Sequence, residues 1–366
     1  MINLKLSYEL IEKLKAIRIK DFTNLEKQMH RSEIISLIRF SSIKRIVNIF
    51  KLYFSFIKSR ILKSSKVYGL PMALSIEPTT SCNLGCPECP SGLKEFTRKI
   101  GNLSMSLNKK IIDELSGNLT YINYYFQGEP YINKNFFDFV KYATSKKIFC
   151  STSTNGHFLN DKNCKKTIDS GLKRLIISID GNSQETYEIY RKKGNYKKVI
   201  EGTKNILSWK KKLNSQYPHI IFQFLVVRTN EHLIEEMKNL ANEIGVDELR
   251  FKTAQLYNYE DGNKLIPENE NYSRYVKTKN GKYKIKNKFY NHCWRMWSSA
   301  VITSKGGVVP CCFDKDATHT LGNLENDSFK KVWFSRYYNN FRKQIFLDRK
   351  EIEICRNCSE GSKVWA

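Results

Sequence analysis

From Pro71 the chain alternates short apolar runs with longer amphipathic ones, six times in succession. The short runs are "MALSIEP", "TYINYYFQG", "KIFCSTSTNG", "KRLIISIDG", "IIFQFLVV" and "DELRFKTAQ". Their β-branched and aromatic content predicts strands. Between them, Asn133 to Lys146, Tyr196 to Leu213 and Glu231 to Ile244 repeat apolar residues at helical spacing. Strands joined through helices cross over and lie parallel. The expectation is an α/β fold: a parallel sheet, open or curled into a partial (β/α)6 barrel of the TIM type, over residues 70–262.

Ligands of such sheets gather beyond the carboxyl ends of the strands. There the sequence places "SCNLGCPECP" after the first strand, "QGEP" after the second, "STNG" after the third and "SIDG" after the fourth. Any one of these alone is an ordinary turn; together they predict one site.

The first of these loops holds three cysteines at C-x3-C-x2-C spacing. The opening "MINLKLSYELIEKLKAI" has acidic residues and no uninterrupted apolar core, and no run approaches the roughly 18 apolar residues of a membrane span. A cytoplasmic location is therefore expected, where thiols stay reduced and clustered cysteines signal metal. Three thiolates cannot complete a structural zinc site, which takes four protein ligands. They can hold three irons of a cubane [4Fe–4S] cluster and leave the fourth iron open for a non-protein ligand.

This loop after the first strand, with "GEP" ending the second and "SIDG" the fourth, resembles the radical S-adenosylmethionine (radical SAM) superfamily over roughly residues 70 to 260. The resemblance implies that Cys82, Cys86 and Cys89 ligate the cluster and that the amino and carboxylate groups of SAM chelate its open iron. One electron then cleaves the sulfonium, and the 5′-deoxyadenosyl radical takes a hydrogen from substrate. Gln127, Gly128, Glu129 and Pro130 match the motif that meets the SAM ammonium, with Gln127 where relatives usually carry a first glycine. Ser178 and Asp180 match contacts to the ribose or methionine part, and Arg191 matches an arginine that pairs with the SAM carboxylate. The plainer alternatives are an N-cap for Asp180 and a solvated Arg191. Glu88 stands where the family usually has an aromatic residue, and Thr154, Asn155 and Gly156 either line the cavity or form a plain turn.

After about Gly262 the alternation stops, and a hairpin around Asn280-Gly281 opens a smaller α+β segment, residues 263–366. It resembles the SPASM domain, which implies one auxiliary [4Fe–4S] cluster on Cys293, Cys311, Cys355 and Cys358, with Cys312 as the alternate to Cys311. A four-cysteine zinc site is the other reading of this quartet. Cys150 and Cys164 fit buried thiols, and Asp314 and His157 are candidate proton acceptors.

Residues 1–69 read as a helical extension. In its last helix Ile43, Ile46, Val47, Phe50, Phe54, Ile57 and Ile61 recur at helical spacing beside Lys44, Arg45, Lys51, Lys58 and Arg60. This stripe fits packing on the following domain, or peripheral membrane contact through residues 41–65. The net charge of +26 comes from basic residues in no dense block and no nucleic-acid motif, which favours a solvated basic surface over nucleic-acid binding.

The reading is a radical SAM enzyme of oxidoreductase or maturase type with two [4Fe–4S] clusters, served by a reductant such as flavodoxin or ferredoxin. The expected substrate is a peptide or protein side chain, oxidised or crosslinked; a small metabolite or sugar is the alternative. A zinc-stabilised nucleic-acid-binding protein and a non-catalytic iron–sulfur electron carrier are the rivals from other classes.

Overall fold

The computed structural model describes residues 31–361. The first thirty residues of the expected helical extension lie outside them. Six parallel strands form where the apolar runs predict them: β1 Ala73–Ile76, β2 Tyr121–Asn123, β3 Phe149–Thr154, β4 Arg174–Ser178, β5 His219–Val226 and β6 Glu248–Thr253. Two helices precede them, α1 Arg31–Phe40 and α2 Ile43–Leu62. The crossovers are α3 Pro90–Leu93 and α4 Met105–Leu115, then α5 Phe136–Ser145, α6 Asp161–Asp169, α7 Gln184–Tyr190 with α8 Tyr196–Lys212, and α9 Ile234–Ile244. Polar turn residues start several of them: Ser104, Asn160, Ser183 and Asn195 accept backbone N–H groups as N-caps.

The register sorts side chains by face. Leu74, Ile122 and Cys150 align across β1 to β3, and Leu175, Ile220, Ile177 and Phe222 across β4 and β5. All are buried with the helices in one core, where each large apolar side chain contributes about 1.5–3 kcal/mol. Because strand side chains alternate, the other face carries Ser75, Asn123, Ser151, Ser178, Gln223 and Arg250. That face is polar. Asn123 Oδ1 and Ser151 Oγ are buried on it without a hydrogen-bond partner among the described residues.

Beyond β6 the chain makes the expected hairpin, β7 Tyr275–Lys277 and β8 Tyr283–Ile285, with Gly281 at positive φ in the turn. It then returns through α10 Arg295–Ser298 to β9 Ser299–Ile302, which pairs parallel with the free edge of β1. β10 Gly307–Val309 and β11 Gly322–Asn323 extend that edge. The sheet order is β11-β10-β9-β1-β2-β3-β4-β5-β6, an open curl with strands from both sides of residue 263. Helices α11 Phe329–Trp333, α12 Arg336–Asp348 and α13 Glu353–Arg356 complete the fold.

Helix α2 corrects one expectation. It packs through Arg45, Asn48, Leu52, Ser55, Phe56 and Ser59, with Ile57 half-buried against the same core, while Ile43, Val47, Phe50, Phe54 and Ile61 of the stripe face away from the body. Arg45 donates to the carbonyls of Phe40, Ser116, Lys146 and Lys147, so it anchors the helix and is no part of a basic margin. Phe56 meets Trp294 and Trp297 edge-on, with ring centroids 5.3 and 5.4 Å away. Among the described residues no helix is long and apolar enough to cross a membrane.

Candidate active site

The cysteine loop leaves β1 and is clamped by the turn after β2. Glu129 donates its N–H to Ser81 O at 2.8 Å, and Gly128 donates its N–H to Ser91 Oγ at 2.8 Å. Gly128 has φ +73°, and a Cβ there would collide with Thr79 O. Only glycine allows this approach. Cys89 caps α3, and Cys86 is buried while Cys82 and Cys89 are half-buried.

Around these thiols stand groups from the turns after β2 and β3 and from the end of α7. Gln127 Oε1 is 3.7 Å from Cys89 Sγ, Asn155 Nδ2 is 3.9 Å from Cys82 Sγ, and Arg191 Nη1 is 3.8 Å from Cys86 Sγ. Burial is the main cause that pushes the Cys82 thiol up to about 12, and it also raises Cys86, although Arg191 opposes this. Burial thus favours the neutral form of Cys82 and Cys86, and a bound metal would have to displace their protons. Among the described residues no three His, Cys, Asp or Glu side chains stand close enough to share a single metal ion.

Glu129 is fully buried and held from three sides. Thr154 Oγ1 donates at 2.8 Å, the Asn155 N–H at 2.7 Å and the Tyr131 N–H at 3.3 Å. Burial nevertheless lifts its carboxyl to about 7. "TNG" is thus the clamp on Glu129 and no plain turn.

Asp180 and Arg191 form a buried pair at 2.5 Å. Asp180 Oδ1 also accepts the Leu225 N–H at 2.7 Å, and Asn230 holds the Asp180 carbonyl at 3.0 Å. Burial pushes the Asp180 carboxyl up, but two donors face it, so the pair is ionised and the Arg191 guanidinium stays charged. Asp180 therefore positions Arg191. It is not an N-cap, since Ser183 caps α7, and Arg191 is not solvated. Ser178 is buried at the end of β4.

Cys293, Cys355 and Cys358 are buried and Cys311 is half-buried. Cys311 lies near the thiols of Cys312, Cys355 and Cys358, whereas Cys312 lies near Arg295, Glu360 and Lys252. Of the two adjacent thiols, Cys311 is the one that lies near Cys355 and Cys358. Arg349, buried, donates to Cys358 Sγ at 3.2 Å. Gly361, at φ +83°, presses on Cys293 Sγ so closely that a Cβ would collide with it.

The two proton-acceptor candidates fail on geometry. His157 Nε2 accepts the Asn195 N–H at 2.8 Å and Nδ1 faces Asn155 at 3.1 Å, which ties up both ring nitrogens. Asp314 is buried and closes its own loop, accepting from the N–H and hydroxyl of Thr318 and from the His319 N–H. Cys150 and Cys164 are buried in the core.

Residues 76–212 match the family model of the radical SAM superfamily, and residues 293–359 match the SPASM model, an iron-sulfur cluster-binding domain. The chain belongs to the radical SAM superfamily. This radical SAM chain is 29% identical to the mycofactocin maturase MftC of Mycolicibacterium smegmatis over 175 residues, 48% of the chain and 43% of that protein. It thus spans under half the length of the mycofactocin maturases. With the PqqA peptide cyclase of Rhizobium meliloti it shares 24% identity over 315 residues, 80% of each chain. Among solved structures, S-adenosylmethionine-bound SuiB of Streptococcus suis superposes with a TM-score of 0.60 at 14% identity, over 84% of this chain and 76% of that one. AdoMet-bound anSMEcpe gives 0.56 at 18% identity, over 80% and 89%. Both show the same fold.

Sequence reasoning missed Asn230, Ser91 and Lys315 of this radical SAM chain. Lys315 is close to the loop, with Nζ 3.4 Å from Glu88 O and 4.6 Å from the Tyr257 ring centroid. Glu88 in turn accepts the Tyr257 N–H at 3.0 Å. Nothing local to these residues marks them: Ser91 directly follows the cysteine loop, and Asn230 and Lys315 reach the site from segments distant in sequence.

Proposed function

We propose that the protein cleaves S-adenosylmethionine reductively and uses the resulting radical on a peptide or protein side chain. The observation that carries this is the company of the three thiols: beside Cys82, Cys86 and Cys89 stand a fixed carboxylate acceptor, Glu129, and a fixed guanidinium, Arg191. These two are complementary to the ammonium and carboxylate of one amino acid. When bound, the [4Fe–4S] cluster supplies the electron that splits the sulfonium of SAM into methionine and a 5′-deoxyadenosyl radical.

In this reading Cys82, Cys86 and Cys89 hold that cluster. Glu129, presented by Gly128 and Pro130, accepts from the ammonium. Arg191, steered by Asp180, pairs with the carboxylate. Gln127 and Ser178 border the same space. On the inner face of the sheet, Asn123 Oδ1 and Ser151 Oγ lack partners among the described residues and suit polar groups of a substrate. Cys293, Cys311, Cys355 and Cys358 would hold a second cluster, which would supply electron exchange with the substrate, and a flavodoxin- or ferredoxin-type reductant would feed the first. A peptide substrate draws on two likenesses: the PqqA peptide cyclase, over most of both chains, and the SuiB structure bound to the precursor peptide SuiA.

The test is anaerobic reconstitution, metal analysis and electron paramagnetic resonance of the dithionite-reduced protein. About eight irons per chain and a signal altered by SAM are expected. Zinc in place of iron, with salt-sensitive DNA or RNA binding, would replace the reading with a zinc-stabilised nucleic-acid binder. Iron with no response to SAM would make it an electron carrier.

A further inference from the structure

Helix α2 is anchored by its polar side. Asn48 donates to Leu70 O at 2.7 Å and accepts the Leu70 N–H at 2.9 Å, and Arg45 holds carbonyls from three other segments. Turned outward are Ile43, Val47, Phe50, Phe54 and Ile61, which are 82, 45, 68, 63 and 74% exposed. Steps of four, three, four and seven residues put them in one stripe, about 27 Å long. No described element covers it. Lys44, Lys51 and Lys58, seven residues apart, run along one margin and Arg60 lies on the other; the helix contains no Asp or Glu.

At its carboxyl end the stripe runs into a cavity of about 520 Å³ lined by Ile57, Arg60, Ile61, Lys63, Tyr290 and Phe346. Tyr290 and Leu347, 50 and 66% exposed, extend the apolar surface beyond it.

An apolar stripe of this length on an otherwise polar surface marks a contact. Charge decides with what. A second copy would set the same lysine row against its own kind, in a chain of net charge +26. Residues 1–30 carry six Lys or Arg against four Asp or Glu, a net positive charge that does not complement the lysine row. An anionic bilayer offers both requirements at the right depths: hydrocarbon for the stripe and phosphates for the lysines beside it.

We propose that α2 docks the protein on an anionic phospholipid surface. The helix lies in the membrane plane, with Phe50 and Phe54 at the acyl boundary and Lys44, Lys51 and Lys58 among the headgroups. Arg60 and Lys63 set a lipid phosphate at the mouth of the cavity. The docking does not depend on the radical chemistry, and neither does its test.

The experiment is co-sedimentation of the full, reconstituted chain with vesicles of phosphatidylglycerol and phosphatidylcholine, or of phosphatidylcholine alone. Binding to the anionic vesicles only, weakened by salt, is expected. Phe50→Ser/Phe54→Ser and, separately, Lys44→Gln/Lys51→Gln/Lys58→Gln should each lower it at least tenfold. Both sets are on the solvent side, so iron content and melting temperature should stay at wild-type values. Absence of binding to anionic vesicles would overturn the proposal, as would equal binding by the wild type and both variants. A dimer that the Phe50→Ser/Phe54→Ser change dissolves, without vesicle binding by the wild type, would reassign the stripe to self-association.

Discussion

Gly128 and Glu129 show how narrow the site's tolerances are. Gly128 lies in the left-handed region with Thr79 O where a side chain would start, so Gly128→Ala must push the cysteine loop away from the turn. SAM affinity should fall more than tenfold by equilibrium dialysis, with iron content reduced. Glu129 makes a different prediction. Its carboxyl is raised by burial from 4.5 to about 7, so the protonated form stabilises the ligand-free fold fully below about 4.5 and that contribution is gone above about 7. A SAM ammonium needs the ionised form, so SAM affinity should drop roughly tenfold per pH unit below about 7. Glu129→Gln should bind weakly and lose this pH dependence. Unchanged pH dependence in the Gln variant would place the titration elsewhere.

At the scale of elements, the strands and helices of the barrel were legible because each has a clear period: alternation within the strands, three-to-four spacing between them. The strand-end loops were legible as one site because parallel topology brings them together. The orientation of α2 was not. A stripe of Ile and Phe shows which side of a helix is apolar, but not on which side the rest of the chain lies. Here Arg45, reaching four carbonyls, and Asn48, closing a two-way bond with Leu70, outweigh the stripe. Arg45→Met should therefore cost about 3 kcal/mol of stability in denaturant unfolding, since it orphans several buried carbonyls. A loss under about 0.5 kcal/mol would mean that the helix is held by Phe56 and Leu52 alone. His157 and Asp314 were misjudged for a related reason. A lone polar side chain in a sequence carries no sign of the backbone N–H groups that will occupy it.

The whole molecule sets two thiol groups on one nine-stranded sheet: one beyond the carboxyl end of β1, the other on the segment that returns to β1 through β9. The C-terminal cysteines could be counted from the sequence, but not the surroundings that distinguish the adjacent Cys311 and Cys312, thiols for one and Arg295, Glu360 and Lys252 for the other. Cys311→Ala should lose about four irons per chain and leave the SAM-responsive signal intact, while Cys312→Ala should keep both clusters. The reverse pattern would exchange their roles. The most direct test of the central claim is 5′-deoxyadenosine formed from SAM and dithionite without oxygen, measured for the wild type beside Cys82→Ala/Cys86→Ala/Cys89→Ala. Product from the wild type alone is expected; no product from a wild type carrying its full iron would contradict the account.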